Sequence, residues 1–190
     1  MANDEFSWFE FSEEYITSYK KLLKYYKQIN RLRLKAFPQE KSWKFWKGFI
    51  GKLNDIACVV YKHKNKVVAF TYKIICDNYD LLLYVIVDEK YRDKGIGTYI
   101  FNSYLVYIQD NYDMPLYLYV DKNDYNLKKW YNHKGFFYTG YVINEFNTDY
   151  EIYAHDDFIR LLEDVPGDIC TALNKLNKKY IPNIRKERGR

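Results

Sequence analysis

The chain has 190 residues, 48% of them hydrophobic, and 30 Lys and Arg against 25 Asp and Glu give it a formal charge of +5. That length is one ordinary domain with enough apolar side chains to fill a core, which excludes wholesale disorder and argues against a second full domain. The charge is uneven: residues 173–190 hold seven Lys and Arg and one acid, Glu187, leaving a net −1 for everything before them.

A short apolar-alternating start over 6–11 leads to Ser12, Glu13 and Glu14, the pattern of a helix N-cap. Tyr15, Tyr19, Leu22, Leu23, Tyr26, Ile29 and Leu32 then recur every three or four residues. This predicts an amphipathic helix with Lys and Arg on its outer face and Pro38 as its stop. A second helix is expected beyond Pro38, carrying Trp43, Trp46, Phe49, Ile50 and Leu53. From Ile56 the period changes to two, so 56–62 and 66–76 read as a hairpin around His63-Lys64-Asn65. Residues 81–87 are apolar without interruption, as in a central strand buried on both faces. A glycine loop, a helix over 98–109 and a strand over 116–120 complete a strand-helix-strand unit, so the sheet is expected to be partly parallel. A helix over 124–134 ends at Gly135, two aromatic strands follow near 136–143 and 150–155, and the last 35 residues are expected to be helical and polar. The fold class is therefore α/β, a mixed central sheet flanked by helices, with a domain over 1–157 and a basic helical extension over 158–190.

The longest apolar run, seven residues over 81–87, is far short of the roughly 18 to 20 that cross a bilayer, so no membrane span is expected. Asp4 and Glu5 occupy the place where a secretory leader carries positive charge, and a cytoplasmic protein is expected. Cys58, Cys76 and Cys170 are too few and too scattered for a disulfide framework or a metal site, and are expected as core thiols. His63, His133 and His155 fall at turns or element ends without metal-ligand spacing, and are expected at the surface.

The stretch richest in chemistry is the buried strand that runs through Val85, Ile86 and Val87 into Arg92-Asp93-Lys94-Gly95-Ile96-Gly97-Thr98 and then a helix. Gly95 and Gly97 remove Cβ atoms that would block a ligand, while the helix start offers unpaired N–H groups and a positive dipole end. Arg92 adds charge at the loop entry. Neither a Walker A loop nor a dinucleotide fingerprint fits the spacing. From the residues alone, a phosphate-bearing cofactor and a tight strand-to-helix turn are equally good readings.

With Arg, two residues, Gly, one residue and Gly, the segment Arg92-Asp93-Lys94-Gly95-Ile96-Gly97 resembles the signature of the GNAT superfamily of acyl-CoA-dependent N-acetyltransferases. Tyr131, three residues, then Gly135-Phe136 is similar to the family's late helix and following strand. The resemblance covers roughly 56–155, including the order of elements. It implies acetyl-CoA as co-substrate and no metal. The amides of Asp93, Lys94, Gly95, Ile96, Gly97 and Thr98 would hold its pyrophosphate, with Arg92 beside them. The backbone of Val85, Ile86 and Val87 would pair with the pantetheine arm, and the strand would diverge from 116–120 to admit it. The resemblance further implies the Val87 amide as an oxyanion donor and Tyr131 as general acid for the departing thiolate. Asp124 stands where the family often has Asn, and is expected at the cofactor or as an N-cap. Where a few members carry a Glu as general base this chain has Leu81, which leaves its neighbour Asp80, or Glu145 or Glu151 acting through water.

On the acceptor side, Glu145, Asp149, Glu151, Asp156 and Asp157, joined by Asp77 and Asp80, form an acidic field that suits a cationic small amine or a Lys or N-terminal amine of a peptide. The same acids on a solvated hairpin are the plainer reading. The basic stretch 173–190 suits RNA, an apolar stripe packed on the body or on a second copy in a homodimer, or a solvated terminus, the last being the preferred reading. The expected function is transfer of acetyl to a primary amine. Acetylation of an aminoacyl-tRNA, or acyl-CoA binding without turnover, are the alternatives.

Overall fold

Alternating β-branched and aromatic residues from Ile56 onward build a twisted sheet, and helices that carry one apolar stripe each cover it. The computed structural model describes residues 10–16, 18–38, 56–75, 79–111, 115–145, 147–155 and 183–187. In chain order the elements are β1 (Phe11–Ile16), α1 (Tyr19–Ala36), β2 (Ile56–His63), β3 (Lys66–Ile75), β4 (Asp80–Val87), a 3-10 turn (Glu89–Tyr91), α2 (Ile96–Asn111), β5 (Leu116–Asp121), α3 (Tyr125–Asn132), β6 (Phe136–Glu145), β7 (Thr148–His155) and β8 (Asn183–Lys186). They form one eight-stranded sheet in the order β1-β2-β3-β4-β5-β7-β6-β8. The β4–β5 pair is parallel and the others are antiparallel.

The fold bears out the mixed α/β class. The β2–β3 hairpin closes through Lys64 and Asn65, both at positive φ (49° and 63°), which a two-residue turn between twisted strands requires. Adjacent residues of β4 face opposite sides of the sheet. Leu81, Tyr84 and Ile86 share a core with Leu22, Tyr25, Ile29 and Leu32 of α1, whereas Leu82 lies with Phe101 and Tyr104 of α2 and Tyr131 of α3. Hence α1 covers one face, and α2 and α3 the other. Cys58 is buried, as expected, and burial pushes its thiol pKa up. Among the described residues no helix is long and apolar enough to cross a membrane.

Two elements differ from the sequence expectation. The first helix is capped by Ser18, whose side chain accepts from Lys21 N at 3.4 Å, and not by Ser12. Residues 11–16 instead pair along β2, bury Ile16 and stack Phe11 on Tyr61 at 5.8 Å. In the tail, Asn183–Lys186 is a strand on the β6 edge and not a helix. Tertiary pairing outweighs local pattern in both cases. The expected helix carrying Trp43 and Trp46 lies outside the described residues, as do Cys76, Cys170, Asp77, Asp156 and Asp157.

Candidate functional site

β4 and β5 part company after a short contact. Their register is Asp80↔Leu116, Leu81↔Tyr117 and Leu82↔Leu118, and stops there. Beyond it β4 pairs with β3 as far as Val87, and β5 pairs with β7 as far as Asp121. The cause is local. On the β3 side the register jumps from Tyr72↔Tyr84 to Lys73↔Leu82, so Leu83 is an extra residue in β4. Such a bulge bends the strand that carries it, and here it bends β4 away at the last residue that β5 holds.

The opened edge is polar in a defined pattern. Asp88 N donates to Val68 O of β3 at 2.8 Å. Since the N–H and C=O of successive strand residues point alternately to the two sides, those of Ile86 also turn toward β3 and those of Val85 and Val87 face the gap. Of the three β4 residues singled out from the sequence, Val85 therefore offers a backbone donor and acceptor there and Val87 a donor, its carbonyl accepting from Arg92 Nε, while Ile86 serves the sheet.

At the end of β4 the chain makes the 3-10 turn, capped by Asp88, whose Oδ1 accepts from Lys90 N at 3.3 Å. Arg92 Nε donates to Val87 O at 3.2 Å, tying the signature arginine to the end of the strand. Asp93 (φ 59°) and Gly95 (φ 75°) turn the chain into α2. The first bond of that helix runs from Tyr99 N to Gly95 O at 2.9 Å, so the N–H groups of Ile96, Gly97 and Thr98 have no carbonyl one turn back to bond. Ile96 and Ile100 anchor the helix start against Val59, Tyr61 and Ala69, while Arg92, Asp93, Lys94, Gly95 and Thr98 are exposed. A Cβ at Gly95 would meet nothing within 4 Å and one at Gly97 would meet Val87 Cγ2 at 3.8 Å, so the space above the loop is open to a ligand. An anion fits this donor set.

Tyr131 of α3 is buried in the same apolar cluster as Leu82 of β4 and Leu118 and Val120 of β5, the residues at which the strands separate. Its ring packs edge-on against Phe101 at 5.5 Å and Trp130 at 4.9 Å. Burial pushes its phenol pKa well up, so it is protonated at neutral pH. Asp124 is the α3 N-cap, its Oδ1 accepting from Leu127 N at 2.9 Å.

The acidic side of the site is different from the sequence expectation. Asp80 is fully buried, 2.5 Å from Lys73 Nζ, and adds nothing to an exposed acidic field. Glu151 is buried, 3.1 Å from Lys128 Nζ, and accepts from Tyr153 OH at 3.0 Å. Each carboxylate is paired with a lysine inside the fold, so neither adds to an exposed acidic field for a cationic amine. His63 and His155 are buried and not at the surface: His63 Nδ1 lies 3.2 Å from Tyr91 OH, and the His155 ring packs on Phe136. His133 is exposed, as expected. Sequence reasoning missed Lys73. Its signal was a single cation within the otherwise uncharged stretch 67–75, a position that calls for a buried carboxylate on the next strand.

Comparison with known proteins agrees with this geometry. The model of the acetyltransferase (GNAT) family matches residues 13–136. A search of curated proteins gave no match. Among solved structures, an acyl-CoA N-acyltransferase from Pseudomonas aeruginosa is similar at a TM-score of 0.60 and 15% identity, over 76% of this chain and 99% of that one. Arabidopsis thaliana Naa50 in complex with the bisubstrate analogue CoA-Ac-MVNAL is similar at 0.60 and 18%, over 76% and 97%. A GNAT family acetyltransferase from Elizabethkingia anophelis with acetyl-CoA bound is similar at 0.58 and 15%, over 77% and 97%.

Proposed function

The chain belongs to the acetyltransferase (GNAT) family, and from that premise we propose that it transfers acetyl from acetyl-CoA to a primary amine by direct attack. One observation carries the reading: the strand edge freed after Leu82↔Leu118 leads straight into a glycine loop and a helix N-terminus. Two similar structures, which hold acetyl-CoA or a CoA-peptide analogue, support the choice of cofactor.

Acetyl-CoA supplies an acetyl thioester, whose carbonyl carbon is the electrophile. The chain supplies the rest. The amides at residues 93–98 would hold the pyrophosphate, assisted by the Arg92 guanidinium, whose Nε is already fixed on Val87 O. The gap-facing groups of Val85 and Val87 would receive the extended arm as a strand edge receives another strand. The Val87 N–H is the donor available to a developing oxyanion. The amine would form its C–N bond as the C–S bond breaks, the sulfur would take the Tyr131 proton, and the proton lost by the ammonium would return through water to the Tyr131 oxygen. Asp124 contributes by fixing the start of α3, which carries Tyr131.

With Asp80 and Glu151 neutralised internally, an uncharged or peptide N-terminal amine fits as well as a polyamine. Calorimetric titration with acetyl-CoA, followed by thiol release with peptide, polyamine and small-amine acceptors, tests the proposal. A folded protein that does not bind acetyl-CoA overturns it. Binding without thiol release from any acceptor would favour the non-catalytic acyl-CoA binder.

A further inference from the structure

The helix α1 has seven Lys and Arg and no acid, in a body whose residues before 173 sum to −1. The cations are sorted. Lys20, Lys24, Lys27, Arg31 and Lys35 recur at spacings of four, three, four and four, which places them within an arc of roughly 80° on a stripe about 22 Å long. All five are exposed. Arg33, outside the arc, is buried, and its Nη2 donates to Asn30 Oδ1 at 2.9 Å.

Folding does not ask for this arrangement. Like charges three and four residues apart repel along a helix, where alternating Glu and Lys would have helped it. Lys20 and Lys21 stand in the first turn, against the positive end of the helix dipole. The neighbouring acids answer only part of the stripe. Glu14 lies 3.8 Å from Lys24, Asp88 3.8 Å from Arg31 and Glu89 2.6 Å from Lys35, and in each pair the cation is open to solvent, which weakens it. Among the described residues no acid forms an ion pair with Lys20, Lys21 or Lys27.

We propose that the exposed stripe on α1 is a docking surface for the phosphodiester backbone of a nucleic acid. Successive cations stand about 4.5 to 6 Å apart along the axis, so the stripe meets a linear array of phosphates, which also carries its charge at intervals of a few ångströms. A lipid surface is a poorer match, because an interfacial helix needs an exposed apolar face. Among the described residues the exposed large apolar ones are Tyr15, Tyr99, Val106, Tyr125, Phe137 and Tyr138, and α1 contributes none of them. The stripe lies on the α1 face of β4, opposite α2, and the proposal does not depend on acetyl transfer.

Fluorescence anisotropy of the full chain with labelled single-stranded RNA and DNA oligonucleotides, from 50 to 200 mM salt, tests it. Five phosphate contacts predict an affinity that falls about 100- to 500-fold over that range. K20Q/K24Q/K27Q should lower the slope of log K against log salt by about 2 to 3, with acetyl-CoA affinity retained, and K20R/K24R/K27R should restore it. RNA and DNA arms of equal affinity are expected for backbone recognition. No binding at 50 mM salt overturns the proposal. So does binding that the triple Gln variant leaves intact, and its loss in K175Q/K178Q/K179Q would then place the site in the tail. Competition by polyglutamate at equal charge concentration would assign the surface to acidic proteins and overturn the nucleic acid reading.

Discussion

Lys73 Nζ lies 2.5 Å from Asp80 Oδ2 with both side chains closed off from solvent, at the place where β3, β4 and β5 meet. The Tyr104 ring covers the ammonium at 5.9 Å. Burial raises the Asp80 pKa, and Lys73 opposes that rise by charge and by hydrogen bond. Removing one member of such a pair leaves a buried charge without its counterion, and Lys73→Met should cost about 3–5 kcal/mol in urea or thermal unfolding. Adding Asp80→Asn should recover most of it. A carboxyl whose folded pKa lies above its unfolded value favours the fold fully below about pH 4, and that favour is lost as pH rises through the folded value. Lys73→Met raises Asp80 further, so its cost should be smaller near pH 4 than at pH 7. An equal cost at both would mean that Asp80 does not titrate with the fold.

The two loop glycines should separate stability from binding. Gly95 sits at φ +75°, where a side chain is strained whatever the space around it, so Gly95→Ala should cost about 1–2 kcal/mol. A Cβ at Gly97 meets Val87 Cγ2 at an ordinary 3.8 Å, so Gly97→Glu should fold normally. Its carboxylate would stand among the amides offered to the pyrophosphate, and acetyl-CoA affinity should fall by on the order of 100-fold, equivalent to ~2.7 kcal/mol. Circular dichroism and calorimetry on both variants check this. Normal binding by Gly97→Glu would show the loop to be only a turn.

The tail strand closes the sheet. β8 covers β6 through Tyr141↔Lys186 to Asn144↔Asn183, and Glu187 pairs with Lys122 and accepts from Tyr138 OH at 2.9 Å. Glu187→Ala removes partly exposed contacts and should cost less than about 1 kcal/mol. Deleting residues 183–190 strips the β6 edge and should produce concentration-dependent association, seen by light scattering. A deletion variant that stays monomeric would show that the edge is protected by other means.

How much of this was legible depends on what each feature rests on. The order of elements from Ile56 to His155 follows from hydrophobic period and glycine placement, which are local, and the loop at 92–98 carries its own chemistry. The splay is another matter. It depends on the extra residue Leu83, and an uninterrupted apolar run such as 81–87 has no alternation to reveal a slipped register. Asp80, judged alone, read as a surface acid, because its partner Lys73 is brought to it by strand pairing. β1 was hidden behind Ser12-Glu13-Glu14, which imitates a helix cap until β2 supplies the edge it pairs with.

Tyr131 tests the chemical step. Its phenol is held protonated by burial and shares a cluster with Leu82 and Leu118, where the strands separate. Protonation of a leaving thiolate matters only after the amine attacks, so Tyr131→Phe should leave acetyl-CoA affinity within a few-fold while kcat falls by about 100-fold or more. Because its pKa is raised above the ordinary value near 10, the group keeps its proton throughout the neutral and mildly alkaline range. The wild-type rate should therefore show no alkaline decline from this residue between about pH 7 and 10, and the ratio of wild-type to Phe rates should stay constant across it. Steady-state thiol release measured over that range decides the matter. Equal kcat in the two proteins would remove Tyr131 from proton transfer and leave it as a packing residue between Phe101 and Phe136.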